Sequence, residues 1–330
     1  LVVLEHNDPD LPFPLYKMSS AKHGWSHKNN PYKIETKDNT YYEGRSNVKN
    51  YDNLEDYGWG DYDEVFKNKK YVLMTKSLVP KFFGRDYYGS RDRYSYFVKK
   101  GLLSVESMPT AYDLDYIKAD KLKFNKDPDY DIIYTGYPRN REKSFTELFS
   151  NLSKNIRKAV TGPWKGNKLN LLDDNTINLG LLKGFLQLPA ITNKSMCALQ
   201  LAVPKAKKYQ WVTSRHLEAV FSYCISFYDS QHIGMEKYFG KNFAVSSKKE
   251  LYIKLKWVKK LSSEQRYKIW KFQYEKCKMY NWRWYATKFE IMCAKHGATV
   301  DPVDFENINI KDVDCTSEFK LMNKMLKRNL

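Results

Sequence analysis

This sequence predicts an α/β protein, and three observations predict it. Short apolar runs bounded by Gly, Pro, Asn and Asp recur along the chain, the pattern of buried strands. Between several of them apolar residues return at three- and four-residue steps, the pattern of amphipathic helices. Strands alternating with helices imply parallel sheets under helical cover. The 330 residues then suffice for two facing Rossmann-like domains with a cleft between them.

Residues 1–4 are a strand fragment, so a few residues are expected to precede them. Residues 5–10 hold Asn, Asp and Pro and make a turn. From 16 to 60 the chain is polar, rich in Tyr, Asn and Lys, with no helical stripe. An irregular stretch that long in a compact domain is usually functional or mobile. Strands follow at 62–66, 70–74 and 101–106. Residues 120–129 are charged and contain Pro128, which marks a boundary. The expected domains are therefore 1–125, 126–284 and a terminal segment, 285–330, that returns to the first.

In the second half, residues 130–134 read as a strand. Phe145, Leu148, Phe149, Leu152, Ile156 and Val160 follow at helical spacing and predict one amphipathic helix. Residues 169–172, 197–202, 224–228 and 242–245 read as further strands. Leu251, Leu255 and Val258 mark a helix, and 263–284 a long final helix tiled with aromatics.

Lys and Arg number 56 against 38 Asp and Glu, a net charge of +18. That excess favours a polyanionic partner. The plainer explanation is AT-rich coding sequence, which inflates Lys, Asn and Tyr. The five cysteines form no CxxC pair, and their number is odd. A disulfide framework or zinc knuckle is not expected, and a reducing cytoplasm is. No apolar run approaches the ~20 residues that span a bilayer, and no signal-peptide pattern is present.

Two segments carry candidate chemistry. Gly136-Tyr-Pro-Arg139-Asn-Arg141 lies between a strand and a helix. Ligands of open α/β sheets bind at that position. Gly136 permits close backbone approach. Arg139 and Arg141 stand where the helix dipole disfavours cations, a conflict that an anionic ligand relieves. The alternative is a pair of solvated surface arginines.

The second segment is Thr213-Ser-Arg-His-Leu-Glu218. With Ser214 as N-cap, Arg215 is the first helical residue and Glu218 lies one turn on. A capping box needs Glu or Gln where Leu217 stands, so Glu218 is not explained that way. Arg215 can neutralise a diphosphate at a positive helix end, and Glu218 can accept two ribose hydroxyls. The structural alternative is an Arg215–Glu218 ion pair, worth about 0.2–0.5 kcal/mol.

A basic aromatic stretch, 81–94, offers Lys81, Arg85, Arg91 and Arg93 for phosphates and Tyr87 and Tyr88 for stacking on an extruded base. A solvated loop is the alternative. His23, His27, His232 and His296 show no ligand spacing and are read as surface or packing residues, and no protein metal site is predicted.

From about residue 130 to 284 the chain resembles the GT-B glycosyltransferases, the phage DNA glucosyltransferases among them. The resemblance rests on Asp131-Ile-Ile-Tyr-Thr-Gly136 with Arg139 and Arg141, on Thr213 to Glu218, and on the order of elements after Tyr238. It is one of pattern rather than identity and covers roughly half the chain. It implies that Arg139, Arg141 and Arg215 hold a nucleotide diphosphate and Glu218 the ribose. The backbone around Leu188 would meet the uracil, with Gly136 and Ser214 completing the site, and residues 280–284 would begin the return to the first domain. It further implies a UDP-sugar donor, UDP-glucose foremost, with a divalent cation as a non-essential aid. The acceptor would be a hydroxyl on a 5-hydroxymethylpyrimidine of double-stranded DNA. The protein would be a monomeric, inverting enzyme of the host-cell cytoplasm if phage-encoded.

The first half departs from the pattern. The family's base is an aspartate just after the strand matched to 71–74, and Lys76 stands there. His6, Asp8 and Asp86 are the substitutes. Three readings stay open: an inverting or a retaining enzyme on DNA, the same class acting on a glycan or protein, and a non-catalytic nucleic-acid-binding protein with a transferase-like fold.

Overall fold

The computed structural model describes residues 2–6, 33–35, 40–42, 71–75, 103–108, 122–137, 140–182, 187–208, 210–299 and 310–329. The chain divides into two compact units: Leu1–Pro109 with Thr287–Asp304, and Thr110–Ala286 with Phe305–Leu330.

The smaller unit contains strands β1 (Val2–His6), β4 (Tyr71–Thr75) and β5 (Leu103–Ser107), hydrogen-bonded in the order β1-β4-β5. Both pairings are parallel, with Glu5, Met74 and Glu106 in one row and His6, Thr75 and Ser107 in the next. Val72 and Met74, two residues apart on β4, are buried and so share one face. Strands β2 (Lys33–Glu35) and β3 (Thr40–Tyr42) pair antiparallel on their own.

The larger unit is built on a parallel sheet of six strands: β6 (Tyr130–Thr135), β7 (Lys158–Thr161), β8 (Thr176–Asn178), β9 (Ser195–Gln200), β10 (Ile225–Asp229) and β11 (Ala244–Val245). Their order across the sheet is β8-β7-β6-β9-β10-β11. Numbered from β6 this is 3-2-1-4-5-6, the doubly wound arrangement. β7, β9 and β10 are buried along their whole length, as strands covered on both faces must be. Ile133, Ala159, Ala198 and Cys224, with Ala219 from a covering helix, form one part of that core.

Helices α1 (Glu142–Leu148), α2 (Gln187–Asn193), α3 (Pro204–Lys208), α4 (Ser214–Phe221) and α5 (Glu236–Phe239) link the strands. They are followed by α6 (Lys248–Lys260), α7 (Ser263–Cys277), α8 (Trp282–Lys295) and α9 (Thr316–Asn329). Helix α9 packs on α6. Its Phe319 ring lies 5.8 Å from Phe243, 6.1 Å from Trp257 and 5.5 Å from Phe272.

Two buried polar ties hold the layers together. Asp131 of β6 accepts from Arg157 N–H at 2.9 Å, from its guanidinium at 3.1 Å and from Lys259 Nζ of α6 at 2.9 Å. Gln273 of α7 meets the Ser226 backbone of β10 twice. Its Oε1 accepts Ser226 N–H at 2.8 Å, and its Nε2 donates to Ser226 O at 2.9 Å.

The larger unit corrects four sequence readings. The helix expected through Val160 ends at Leu148: Phe149 closes it, Asn151 takes φ +54°, and Val160 belongs to β7. Leu152, Ile156 and Val160 are core residues, but only the first apolar steps are helical. Residues 166–171 are a 3-10 helix rather than a strand, and the strand follows at β8. The long final helix breaks at Lys278–Tyr280, where Asn281 Oδ1 accepts Trp284 N–H at 3.0 Å and so caps a new helix, α8. The N-cap of α4 is Thr213, one residue before the expected Ser214. The strand expected at 62–66 lies outside the described residues.

All five cysteines are free thiols. Among the described residues no helix is long and apolar enough to cross a membrane.

Candidate functional site

Between β6 and β9 the strand order reverses, and an open parallel sheet binds ligands at the carboxyl ends of the strands beside such a point. β6 ends at Thr135, and Gly136 follows with φ +119°. The absent side chain is what this turn requires. A Cβ on Gly136 would stand 2.5 Å from Arg215 Nη1 and 3.0 Å from Arg215 Cζ. The Arg215 guanidinium thus rests on bare Gly136 backbone. The loop beneath closes by the same device. Gly136 N–H donates to Thr161 O at 2.7 Å, and a Cβ on Gly162, φ +138°, would lie 2.6 Å from Gly136 O.

Helix α4 delivers Arg215 from the other side of the reversal. Thr213 N–H donates to His216 Nδ1 at 3.0 Å, and Thr213 Oγ1 lies 3.1 Å from the same nitrogen. An Nδ1 that accepts a backbone N–H carries no proton, so His216 is neutral with its proton on Nε2. Burial, then the neighbouring His232 and Arg215, holds its pKa well below the usual histidine range. The His232 ring lies 5.1 Å away, and burial, then Lys207, brings its pKa to about 4. Two neutral imidazoles therefore stand beside an exposed guanidinium.

Arg141 is the N-cap residue of α1. Its Nη1 donates to Tyr137 O at 2.9 Å. Its Nε is buried and has no hydrogen-bond partner among the described residues. Burial first, and then the charge of Arg215, lower its pKa. Glu142 is adjacent but pairs with Lys168. Two guanidinium groups thus lie close enough to repel, and among the described residues neither is ion-paired to a carboxylate. An anion lying between them would remove the repulsion and use the amides of Ser214 and Arg215 at the start of α4, which have no partner among the described residues.

Glu218 is half-buried one turn along α4. Burial raises its pKa, and only Arg215 opposes that rise. The Arg215–Glu218 ion pair weighed from the sequence is not formed. The carboxylate is left with its acceptor capacity unused among the described residues.

The structure thus gathers Gly136, Arg141, Ser214, Arg215 and Glu218 at one edge of one sheet. Leu188 lies in the first turn of α2, half-buried. His6 closes β1, and its side chain lies outside the described residues. Arg139, Asp8, Asp86, Lys81, Arg85, Tyr87, Tyr88, Arg91 and Arg93 also lie outside them.

Sequence reasoning missed the brace behind this edge. Lys207 Nζ of α3 donates to Ser144 Oγ in the first turn of α1 at 2.8 Å and pairs with Asp229 at the end of β10. Asp229 is buried, and a buried aspartate needs a cation. Its position at the end of an apolar strand was the available signal.

Strand order, glycine turn and paired cations define a doubly wound α/β fold with a cationic site where that class binds its ligands. No protein-family model matches the chain, and no curated protein matches its sequence. Its fold is similar to that of the T4 phage beta-glucosyltransferase. A structure addressing that enzyme's substrate binding and proposed catalytic mechanism matches with a TM-score of 0.50 and 13% identity, over 69% of this chain and 66% of that one. A complex with its UDP-glucose substrate gives 0.49 and 14%, over 68% and 62%. A structure of the same DNA modifying enzyme with and without uridine diphosphoglucose gives 0.48 and 15%, over 68% and 66%. The match thus spans 62–66% of the length of that enzyme. The likeness establishes the fold, α/β of the GT-B kind.

Proposed function

We propose that this chain is a glycosyltransferase that moves a sugar from a UDP-sugar, UDP-glucose foremost, to a hydroxyl on a modified base of double-stranded DNA. One observation carries the reading. The Arg215 guanidinium lies on Gly136 beside Arg141, with Glu218 one turn behind and without a partner among the described residues. That arrangement fits a nucleoside diphosphate. The guanidiniums and first-turn amides take the diphosphate, and the carboxylate takes the ribose hydroxyls.

The chemistry follows from the same groups. As the bond from the sugar to the diphosphate breaks, negative charge grows on the leaving oxygen. Arg141 and Arg215 are assigned to stabilise it. A general base must take the proton of the attacking hydroxyl. The inverting course needs only one displacement and no covalent intermediate, and we favour it for that reason. Arg139 is assigned to the diphosphate and the backbone around Leu188 to the uracil. A divalent cation would assist the diphosphate without being required. The net charge of +18 supports a DNA acceptor, with Lys81, Arg85, Arg91 and Arg93 on phosphates and Tyr87 and Tyr88 on the base. The sequence offers His6, which closes β1, with Asp8 and Asp86 as candidates for that base. The protein is assigned as a monomer of the cytoplasm, that of the host cell if it is phage-encoded.

The test is calorimetric titration with UDP and UDP-glucose, followed by transfer of labelled sugar to hydroxymethylated duplex DNA at several salt concentrations. Micromolar UDP binding with salt-sensitive transfer is expected. Binding without transfer to DNA would point to another acceptor. No nucleotide binding by folded protein would overturn the reading.

A further inference from the structure

Beyond the donor site, the structure holds a carboxylate–imidazole pair that no sequence pattern announced. We propose that His296, oriented by Glu106, is the general base that takes the proton from the acceptor hydroxyl, an inference that rests on the transferase reading above. Glu106 is the penultimate residue of β5, at the carboxyl edge of the three-stranded parallel sheet. That is the edge at which sheets of this kind receive ligands. His296 Nε2 lies 2.9 Å from Glu106 Oε1.

Local structure fixes the histidine. Helix α8 ends at Lys295, and Gly297 takes φ +85°. Gly297 N–H donates to Ala294 O at 2.9 Å, and Ala298 N–H to Cys293 O at 3.0 Å. This is the glycine-ended helix stop. It leaves His296 as the first residue beyond the helix, with its backbone N–H on Met292 O at 3.2 Å. Lys295 Nζ pairs with the same Glu106 oxygen. Glu106 and Lys295 are the charged groups that touch the imidazole pair among the described residues.

The lysine has a consequence for the imidazole. Burial works to raise the Glu106 pKa, but the bonds from Lys295 and His296 leave it lowered, so the carboxylate is ionised and can only accept. Nε2 of His296 must then carry a proton, and the free lone pair sits on Nδ1. Nδ1 has no partner among the described residues, and the side chain keeps 15% exposure. A carboxylate that fixes the tautomer and steadies the imidazolium is what a histidine base requires.

The step balances. The hydroxyl proton passes to His296 Nδ1. The hydroxyl oxygen forms the new bond to the anomeric carbon. The bond from that carbon to the diphosphate oxygen breaks, and its electron pair leaves with UDP. The imidazolium then returns its proton to solvent.

The test uses the full chain with His296→Gln and Glu106→Gln. UDP affinity, thermal midpoint, kcat for transfer to hydroxymethylated DNA and the pH–rate profile are measured on each. H296Q should lose about 10²–10⁴-fold in kcat while its UDP affinity stays within twofold. E106Q should lower kcat by about 10²–10⁴-fold with UDP affinity within twofold, because a glutamine neither fixes the tautomer nor steadies the imidazolium. A merely structural tie between α8 and β5 would change the midpoint and leave kcat within threefold. Transfer by H296Q within threefold of the unmodified chain overturns the proposal. If H296Q fails to fold, transfer by E106Q within threefold does so instead. Failure of the unmodified chain to bind UDP is a separate readout and defeats the transferase reading itself.

Discussion

Gly136→Ala is the sharpest probe of the proposed donor site. The added Cβ would stand 2.5 Å from Arg215 Nη1, where ordinary contact needs about 3.5 Å. The guanidinium must therefore retreat by about 1 Å. The backbone would also hold a non-glycine residue at φ +119°, at a cost of order 1–3 kcal/mol in folding stability. The binding effect is separate. A guanidinium displaced by that much loses its charge-assisted bonds to a diphosphate, worth about 1.5–3 kcal/mol. At about 1.4 kcal/mol per factor of ten, UDP should bind roughly 10–150-fold more weakly. The assay is calorimetric titration with UDP at fixed ionic strength, since screening changes such contacts. A double-mutant cycle isolates the cause. On an Arg215→Ala background, G136A should change UDP affinity by less than twofold, because the group it displaces is gone. If G136A alone binds UDP within twofold of the parent while R215A does not bind it, Arg215 does not meet the diphosphate from its place on Gly136, and the reasoning fails.

Three further outcomes are expected. Glu218→Gln should weaken UDP binding about 10-fold or more through the lost ribose contacts, yet raise the thermal midpoint at pH 7. Burial raises the native Glu218 pKa above its unfolded value, so its contribution is complete below the unfolded pKa and lost as pH rises through the native one; the gain from E218Q should vanish near pH 4, and a gain that persists there would contradict this. His216→Leu removes the acceptor of Thr213 N–H and should cost about 0.5–2 kcal/mol in denaturant titration, with His216→Asn restoring part of it; equal loss in both would mean that packing rather than capping is at stake. Asp131 lies under opposite influences: burial works to raise its pKa, but Lys259 and Arg157 prevail and leave it lowered. Its stabilisation should be complete above about pH 4 and lost as pH falls through the native pKa, so Asp131→Asn should flatten the acid arm of the stability–pH curve, and an unchanged arm would refute that assignment.

Much of the larger unit was legible in the sequence because its signals are local. The apolar runs at β6, β9 and β10 announce buried strands, and Leu251, Leu255 and Val258 announce α6. Gly136 after a strand and Arg215 at a helix start were read separately, and the doubly wound order brings them together. Lys158 shows why β7 was hidden. It is fully buried and pairs with Asp173, so a charged letter stands for a core position while its apolar neighbours prolong a helical rhythm. The cap of α4 was misplaced by one residue because a histidine, rather than Glu or Gln, completes the box. The Glu106–His296 pair was beyond reach, since nothing local links two residues 190 apart.

Gln273 bears on where the larger sheet stops. β11 pairs with β10 only at Tyr228 and Asp229, and among the described residues the earlier part of β10 has no strand on that side. The amide of Gln273 presents one donor and one acceptor to Ser226, as a peptide group of an added strand would. A single side chain thereby occupies the position that a further β-strand would take. A residue that could not reproduce both bonds, such as leucine, would leave a strand template open to β-addition by another chain, the usual hazard of an uncovered edge. The limit of the sheet is thus set by a helix, and self-association rather than unfolding is the failure to look for when that contact is lost.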